Sequence, residues 1–290
     1  MSVVISQSEH APHQPSLTVH GIGRVAYGVD SDGVTRLHDL YQRDPVRIMF
    51  PVPPRNEIQS AVFVNTSGGL VGGDILELTA QAAKDVAVRY YPQAAEKVYR
   101  SNGPKSQIQV SLTVEEGAWM EWLPQETILF DGAKLHRQTQ ANIAPGGRLL
   151  AGEMLVLGRT SMGETVQSGL LQDEWNVHAD GRLVWADSFC LDEDFAQTIH
   201  HPAGLNGSTA LATVIYVADD AEQFLTAARE LLNSIPTDVR VGITLVGGVL
   251  ITRFLAKDAL TLRKAFGNYW AEFRHLSAQL PAALPRLWHI

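Results

Sequence analysis

The sequence is poor in cysteine, in basic residues and in long apolar runs. Cys190 is its only cysteine, so it can form no intramolecular disulfide and no CxxC metal or redox pair. Such cysteine usage is typical of a reducing compartment and predicts a cytoplasmic protein. No apolar run approaches the length of a membrane-spanning helix, and no basic residue precedes the short apolar run at the start. We therefore expect no membrane association.

The charge balance is acidic and narrows the range of partners. Lys and Arg number 23 against 31 Asp and Glu, which gives a formal net charge of −8. Nucleic acids are bound by basic surfaces, so this balance argues against a nucleic-acid partner. With 45% hydrophobic residues in 290, the chain can bury a sizeable core. We expect residues 1–16 to be a flexible tail and 17–290 to form a single domain.

Alternation of polar and apolar residues dominates the region from about residue 17 to 217. The stretch QIQVSLTV at 107–114 is one example, and this period is typical of strands. Asp-Gly at 180–181 and Gly-Gly at 247–248 each separate two extended runs and predict hairpins. The predicted fold is mainly β, a large and mostly antiparallel structure that is either β-helix-like or sandwich-like.

Helical spacing appears only in the C-terminal third, where it predicts two helices. Residues 219–236 have acids for an N-cap and Pro236 as a stop. The second helix begins near Asp258 and ends before Pro281, with one face that carries Leu262, Phe266, Tyr269, Phe273, Leu276 and Leu280. This face packs either on the chain's own sheet or on a partner protein. Under the second alternative, Tyr269, Phe273 and Trp288 are the candidate partner-binding residues.

The stretch SGGLVGGD, residues 67–74, is rich in glycine but does not predict a phosphate site. In a P-loop a lysine would stand where Asp74 stands, and its carboxylate would repel an anion. Extended runs flank the loop, whereas a dinucleotide fingerprint opens a helix. Two alternatives remain: a bulged hairpin, or glycines that permit a close approach of two chain segments. The glycines concerned are Gly68, Gly69, Gly72 and Gly73.

Enzyme motifs are largely absent, which predicts a protein that is not an enzyme. The residues around Ser161 are out of step with the G-x-S-x-G nucleophile motif, and HExxH does not occur. The alternative is a hydrolase that uses Glu121 and Glu126 as acid and base. No histidine or cysteine spacing predicts a closed metal site, so we expect no tightly bound cofactor.

Seven segments, in order, resemble the urease accessory protein family UreD, which is also called UreH. They are GVTRLHDLYQRDPVRIMFP, NTSGGLVGGDILEL, QAAEKVYRS, EWLPQETILFDGA, LLAGEMLVLGRTSMGE, ITRFLA and PRLW, and together they extend from residue 33 to 288. The resemblance implies a nonenzymatic, mostly β protein with two helices. It also implies three partners: a UreF-like protein, a UreG-like GTPase and apo-urease, on which the complex docks while nickel is inserted.

The resemblance further implies a transient Ni²⁺ route through the protein. Asp74, Glu153 and Asp187 match acidic positions of the family's internal tunnel, whereas Glu96 stands where family members often carry a small polar residue. Oxygen ligands spaced along a polar path hold a divalent cation weakly enough to release it. The alternative is a pure scaffold for urease assembly, in which these acids serve folding or solubility and no metal enters the protein.

Overall fold

The computed structural model describes residues 18–159 and 163–289. The predicted tail at 1–16 lies outside the described residues. The strands are β1 (His20–Val29), β2 (Thr35–Arg43), β3 (Val46–Met49), β4 (Gln59–Asn65), β5 (Ile75–Ala82), β6 (Ala87–Pro92), β7 (Glu96–Val98), β8 (Ser106–Val114), β9 (Trp119–Trp122), β10 (Thr127–Leu129), β11 (Lys134–Ile143), β12 (Arg148–Leu157), β13 (Ser168–Ala179), β14 (Arg182–Asp194), β15 (Ala210–Val217), β16 (Val239–Val246) and β17 (Val249–Ala256). The helices are α1 (Phe195–His200), α2 (Leu225–Leu231) and α3 (Ala259–Ala278), with 3₁₀ turns at Ala221–Phe224, Leu232–Ser234 and Arg286–His289.

The strands form two sheets, and the chain alternates between them. Sheet A has seven strands in the order β14-β13-β11-β8-β5-β1-β2. Sheet B has ten, eight of them in the order β16-β17-β15-β12-β9-β6-β4-β3, while β10 pairs with β12 and with β7. In the middle of the molecule the chain passes from a strand of sheet A through a short turn to sheet B and back. The architecture is therefore a β-solenoid-like coil of two facing sheets.

The prediction of a mainly β fold is confirmed, and the β-helix-like alternative describes it. The expected antiparallel pairing holds only at the ends, where the hairpins β13–β14 and β16–β17 form as predicted. In the middle, β5, β8, β11 and β13 pair in parallel, as do β6, β9 and β12. The reason is that a turn such as 145–147 carries the chain to the opposite sheet, so each new strand lies beside one of the preceding coil. Alternation of polar and apolar residues is the same for both pairings.

Two apolar layers hold the fold together. One lies between the sheets and includes Phe63, Trp122, Leu155 and Ile251. The other lies between sheet B and the helices and includes residues such as Tyr216. Sheet B is thus covered on both faces, which is why strand β12 reads almost continuously apolar.

Helix α3 confirms the second predicted helix. It runs from Ala259 to Ala278, and the Asp258 side chain caps it by accepting a hydrogen bond of 2.7 Å from the backbone N–H of Thr261. The region of the first predicted helix is less regular, because α2 covers only Leu225–Leu231 and is flanked by 3₁₀ turns. The short helix α1, at Phe195–His200, was not predicted. No described helix has both the length and the apolar composition needed to cross a bilayer.

Candidate functional site

The glycine loop connects β4 of sheet B to β5 of sheet A, so it is a crossover and the bulged-hairpin alternative is wrong. A Cβ atom on Gly69 would lie 2.5 Å from the Tyr99 ring, and one on Gly72 would lie 2.1 Å from Ser101 Oγ. Side chains at these two positions would collide with the segment after β7. The glycines therefore serve the close approach of two chain segments, as the second alternative predicted.

Asp74 holds the glycine loop in place. Its side chain is 2% exposed, and its two carboxylate oxygens accept backbone N–H bonds from Val19 at 3.0 Å and from Val71 at 2.9 Å. The carboxylate thereby ties the loop to the segment that leads into β1. Both oxygens already accept hydrogen bonds, so Asp74 has an evident role in the fold.

Two adjoining cavities lie between the sheets, and we call them together the lumen. One, of about 80 Å³, is lined by Arg137, Glu153 and Trp175 among others. The other, of about 190 Å³, reaches the glycine loop at Gly68 and Gly69. Both are bordered by Phe63, Leu76, Leu78, Pro92 and Glu96. Each volume has room for several waters, and Glu96 is the one charged side chain shared by the linings of the two cavities.

Arg137 organises a buried polar cluster at the wall of the lumen, which we call the lumen network. Its Nε donates to Asp173 Oδ1 at 2.8 Å, and its Nη2 donates both to Asp173 Oδ2 and to Glu153 Oε2, the latter at 3.1 Å. Trp175 Nε1 also donates to Glu153 Oε2, at 2.6 Å, and Arg137 Nη1 donates to Thr127 Oγ1 at 3.0 Å. One guanidinium therefore faces two carboxylates, so the network has one more acid than base.

This imbalance favours the protonated form of Glu153. Burial, together with the nearby charge of Asp173, raises the pKa of Glu153 to about 8, although Arg137 opposes the shift. Glu96 behaves in a related way, since burial and the charge of Asp74 raise its pKa to about 7 while a hydrogen bond from Asn65 Nδ2 at 3.0 Å lowers it. Both shifts favour the protonated carboxyl over the carboxylate.

Asp187 lies at the edge of the same interior rather than in the lumen. It is opposite Trp175 in the β13–β14 pairing and forms a 2.8 Å ion pair with Arg253 of β17. In sheet B, Glu153, Thr213 and Arg253 are neighbours across β12, β15 and β17. A polar row therefore runs across the sheet from Glu153 to the Arg253–Asp187 pair. The structure brings Glu153 and Asp187 to this row and leaves Asp74 at the loop.

These acids do not form a metal cluster. Within residues 18–159 and 163–289, no three His, Cys, Asp or Glu side chains are arranged so that they could hold an ion. Neither Asp74 nor Asp187 is among the residues that line the two cavities. The two carboxyl groups that line the lumen are those of Glu96 and Glu153.

A second buried ion network lies on the opposite face of sheet B, and we call it the helix network. Glu121 accepts hydrogen bonds from Arg89 Nε at 2.7 Å and from Arg274 Nε of α3 at 2.8 Å. Both arginines also donate to Glu57. Burial alone would raise the pKa of Glu121, but the two arginines hold it below its usual range. Two cations face two anions here, so the charges balance.

The hydrolase alternative depended on Glu121 and Glu126 acting as a pair. Glu121 belongs to the helix network, whereas Glu126 is paired with Arg263. Each carboxylate is neutralised by different arginines, so the two do not form an acid and base pair across a shared site.

The three candidate partner-binding residues lie in the chain's own core. Tyr269 is 3% exposed and shares a 2.7 Å hydrogen bond with Thr252 of β17, and its ring stacks on Phe273. Trp288 is 5% exposed and stacks on Phe266 of α3. The face of α3 thus packs on the chain's own sheet. A role of these side chains in partner binding stays a prediction, and it would require α3 and the residues after it to move away from sheet B.

Sequence reasoning missed Arg137 and Asp173, although strand parity carried a signal. On β11, Arg137 has the same parity as Leu135 and Ile143, which are both buried. On β13, Asp173 likewise alternates in step with buried Leu171. A charged residue on the apolar face of a strand must be paired inside the protein. The pattern thus predicts a buried ion pair without naming the partners.

Comparison with known proteins finds related sequences that match almost the whole chain. The family model described as UreD urease accessory protein matches residues 20–289. A urease accessory protein UreD from Magnetococcus marinus is 43% identical over 95% of this chain and 96% of its own length. Another, from Rhodopseudomonas palustris strain BisA53, is 40% identical over 92% of this chain and 90% of its own. By this match and these identities, the chain belongs to the UreD family of urease accessory proteins.

Proposed function

We propose that this chain acts in urease maturation without catalysing a reaction itself. In the proposal it docks on apo-urease together with UreF-like and UreG-like proteins, and nickel on its way to the enzyme passes through the lumen. Family membership supports the coarser part, because the matched relatives are named urease accessory proteins. The route through the lumen rests on the two carboxyl groups that line it.

The observation that supports the route is that Glu96 and Glu153 line the same cavity, and that Glu96 also lines the adjoining one. Because the pKa of each is raised to about 7 or 8, each holds a proton that an arriving cation can replace. The exchange keeps the charge of the buried site low, so the ion does not have to enter a bare anionic cage. Lone oxygen ligands also bind a borderline ion such as Ni²⁺ less tightly than clustered thiolates or imidazoles.

A pure scaffold is the second candidate. It is favoured by the way the acids are already used: Asp74 holds backbone N–H groups, and Glu153 accepts bonds from Arg137 and Trp175. Under this alternative the network serves folding alone and the chain only brings the other proteins together.

Coexpression with the urease genes separates the two candidates. The test variant is the double change Glu96→Gln and Glu153→Gln, which keeps the shape of both side chains and leaves Asp74 in place. We expect copurification with the accessory proteins to persist, while nickel content and activity of urease fall several-fold because neither amide can exchange a proton for a cation.

The matched control is the double change Glu77→Gln and Glu174→Gln, which alters two partly exposed acids outside the lumen lining. It should leave the nickel content of urease unchanged. Full nickel loading by the lumen double variant would discard the route and leave the scaffold.

A further inference from the structure

A groove opens on the outside of the molecule between the segment 49–55 and the segment 281–287. Its volume is about 630 Å³, within the range of ligand and peptide sites. Neither glutamate of the lumen, Glu96 or Glu153, lines it. We call it the proline groove, because five prolines line it: Pro51, Pro53, Pro54, Pro281 and Pro285.

The proline groove exposes apolar surface that the chain itself leaves uncovered. Val52 is 92% exposed, Met49 is 59% exposed and Phe50 is 38% exposed, and all three line the groove. Leu284 and Leu287 line its other wall. A contiguous exposed patch of this kind marks an interaction site more often than scattered apolar residues do.

The charges at the groove are opposite in sign to those of the whole chain. Arg55 and Arg286 line it and are exposed. The one acid of the lining, Glu57, already accepts hydrogen bonds from Arg89 and Arg274. A protein with a net charge of −8 therefore presents two arginines and no free carboxylate here. Charge complementarity favours an acidic occupant.

One wall of the groove, residues 281–287, is hydrogen-bonded to side chains beneath it. Arg274 donates to the backbone carbonyl of Pro281 as well as to Glu57. Gln125 Nε2 also donates to the carbonyl of Leu287, at 3.4 Å. These contacts fix the wall formed by residues 281–287. A preformed groove loses little conformational entropy when it binds a partner.

The prolines also restrict the mode of binding. Proline has no backbone N–H, so the two walls are poor templates for the addition of a strand. An occupant in helical form satisfies its own backbone groups and needs only side-chain contacts, as in recognition of an amphipathic helix by an apolar groove.

We propose that the proline groove docks an amphipathic helix of a partner protein, with an apolar face between the walls and acidic residues against Arg55 and Arg286. The inference rests on the proposed function in one respect, namely that the partner is one of the accessory proteins or urease itself. Trp288, which the sequence suggested as a partner-binding residue, is buried beside the groove and does not line it.

Copurification from cells that express the whole urease gene cluster tests the proposal. The variants are Val52→Glu, which puts an acid into the apolar wall, and the double change Arg55→Glu with Arg286→Glu, which reverses the charge. Each should lower the amount of one copurifying partner by about tenfold or more, as loss of a central contact does. The control is Leu183→Glu, since Leu183 is 56% exposed on β14 and is not part of the groove. Circular dichroism spectra like that of the unmodified chain confirm that each variant is folded.

A photo-crosslinking amino acid at position 52 identifies the occupant. We expect a crosslinked peptide from an accessory protein or urease that has an apolar face and at least two acidic residues. Reversal of those acids to lysine should restore binding to the Arg55→Glu, Arg286→Glu variant. A basic peptide, a second copy of this chain, or unchanged copurification in both groove variants would overturn the proposal.

The outcome is separable from that of the proposed nickel route. Groove variants that bind all partners, together with lumen variants that lower the nickel content of urease, would refute the groove alone. Loss of a partner in the groove variants, together with full nickel loading in the lumen variants, would refute the route alone.

Discussion

The lumen network and the helix network are built from the same kinds of residues but differ in their charge balance. In the helix network Arg89 and Arg274 face Glu57 and Glu121. In the lumen network Arg137 alone faces Glu153 and Asp173. The pKa of Glu121 is accordingly lowered, whereas the pKa of Glu153 is raised to about 8.

The difference indicates what each network does. The helix network is balanced and needs no additional proton or cation. It joins α3 and the residues after it to sheet B. An unbalanced network has one negative charge in excess, which must take up a proton or a cation. The balanced network therefore lies away from the lumen, on the helix side of sheet B, and the network with the excess acid lies at the wall of the lumen.

The largest expected effect comes from breaking the balanced network. Arg274 is fully buried, so Arg274→Met leaves Glu121 and Glu57 short of one cation. We expect the free energy of unfolding to fall by about 3–5 kcal/mol, the usual cost of removing one partner of a buried ion pair. Denaturant titration measures the change.

Arg229→Met is the matched control for that experiment, because Arg229 is exposed on α2. It should change stability by under about 0.5 kcal/mol. A similarly small loss for Arg274→Met would show that the helix network contributes little to the fold.

A smaller effect is expected from the same substitution made in each network. At pH 7, Glu121→Gln should destabilise the protein by about 1–3 kcal/mol, because two arginines lose their charged acceptor. The lowered pKa of Glu121 means that its contribution is present above its unfolded value of 4.5 and is lost as pH falls. The deficit of the variant should therefore shrink on acidification.

Glu153→Gln should behave in the opposite way. The raised pKa of Glu153 means that its contribution is complete below 4.5 and is lost as pH rises through about 8. The variant should therefore gain stability relative to the unmodified chain as pH is raised from 5 to 8. Unfolding at several pH values measures both variants, and parallel pH profiles for the two would remove the distinction between the networks.

The smallest effect is expected at Glu96. Its pKa of about 7 against an ordinary 4.5 means that its contribution to stability falls as pH rises between these values. Glu96→Gln should remove that fall. The thermal unfolding temperatures of the unmodified chain and of the Glu96→Gln variant are measured at pH 5 and at pH 8. The difference between the two proteins should change with pH, and a difference that is the same at both pH values would contradict the prediction.

The sequence predicted much of the fold but little of the charge arrangement. Helix α3 and the two hairpins carry local signals, namely Asp258 as a cap, Asp-Gly at 180–181 and Gly-Gly at 247–248, so they were predictable. The parallel coil was not, because alternation does not distinguish neighbours along the chain from neighbours one coil away. The contact between Arg274 and Glu121 joins residues 153 positions apart, and no local pattern specifies such a partner.

Exchange of protons for nickel is the most direct test of the central claim, which is that a cation replaces a proton in the lumen. The complex with its accessory partners is titrated with Ni²⁺ in weakly buffered solution at pH 6.5 while released protons are measured. We expect each nickel ion that binds at Glu96 or at Glu153 to release up to about one proton. The Glu96→Gln, Glu153→Gln variant should release much less. Equal nickel binding and equal proton release by the two proteins would contradict the account.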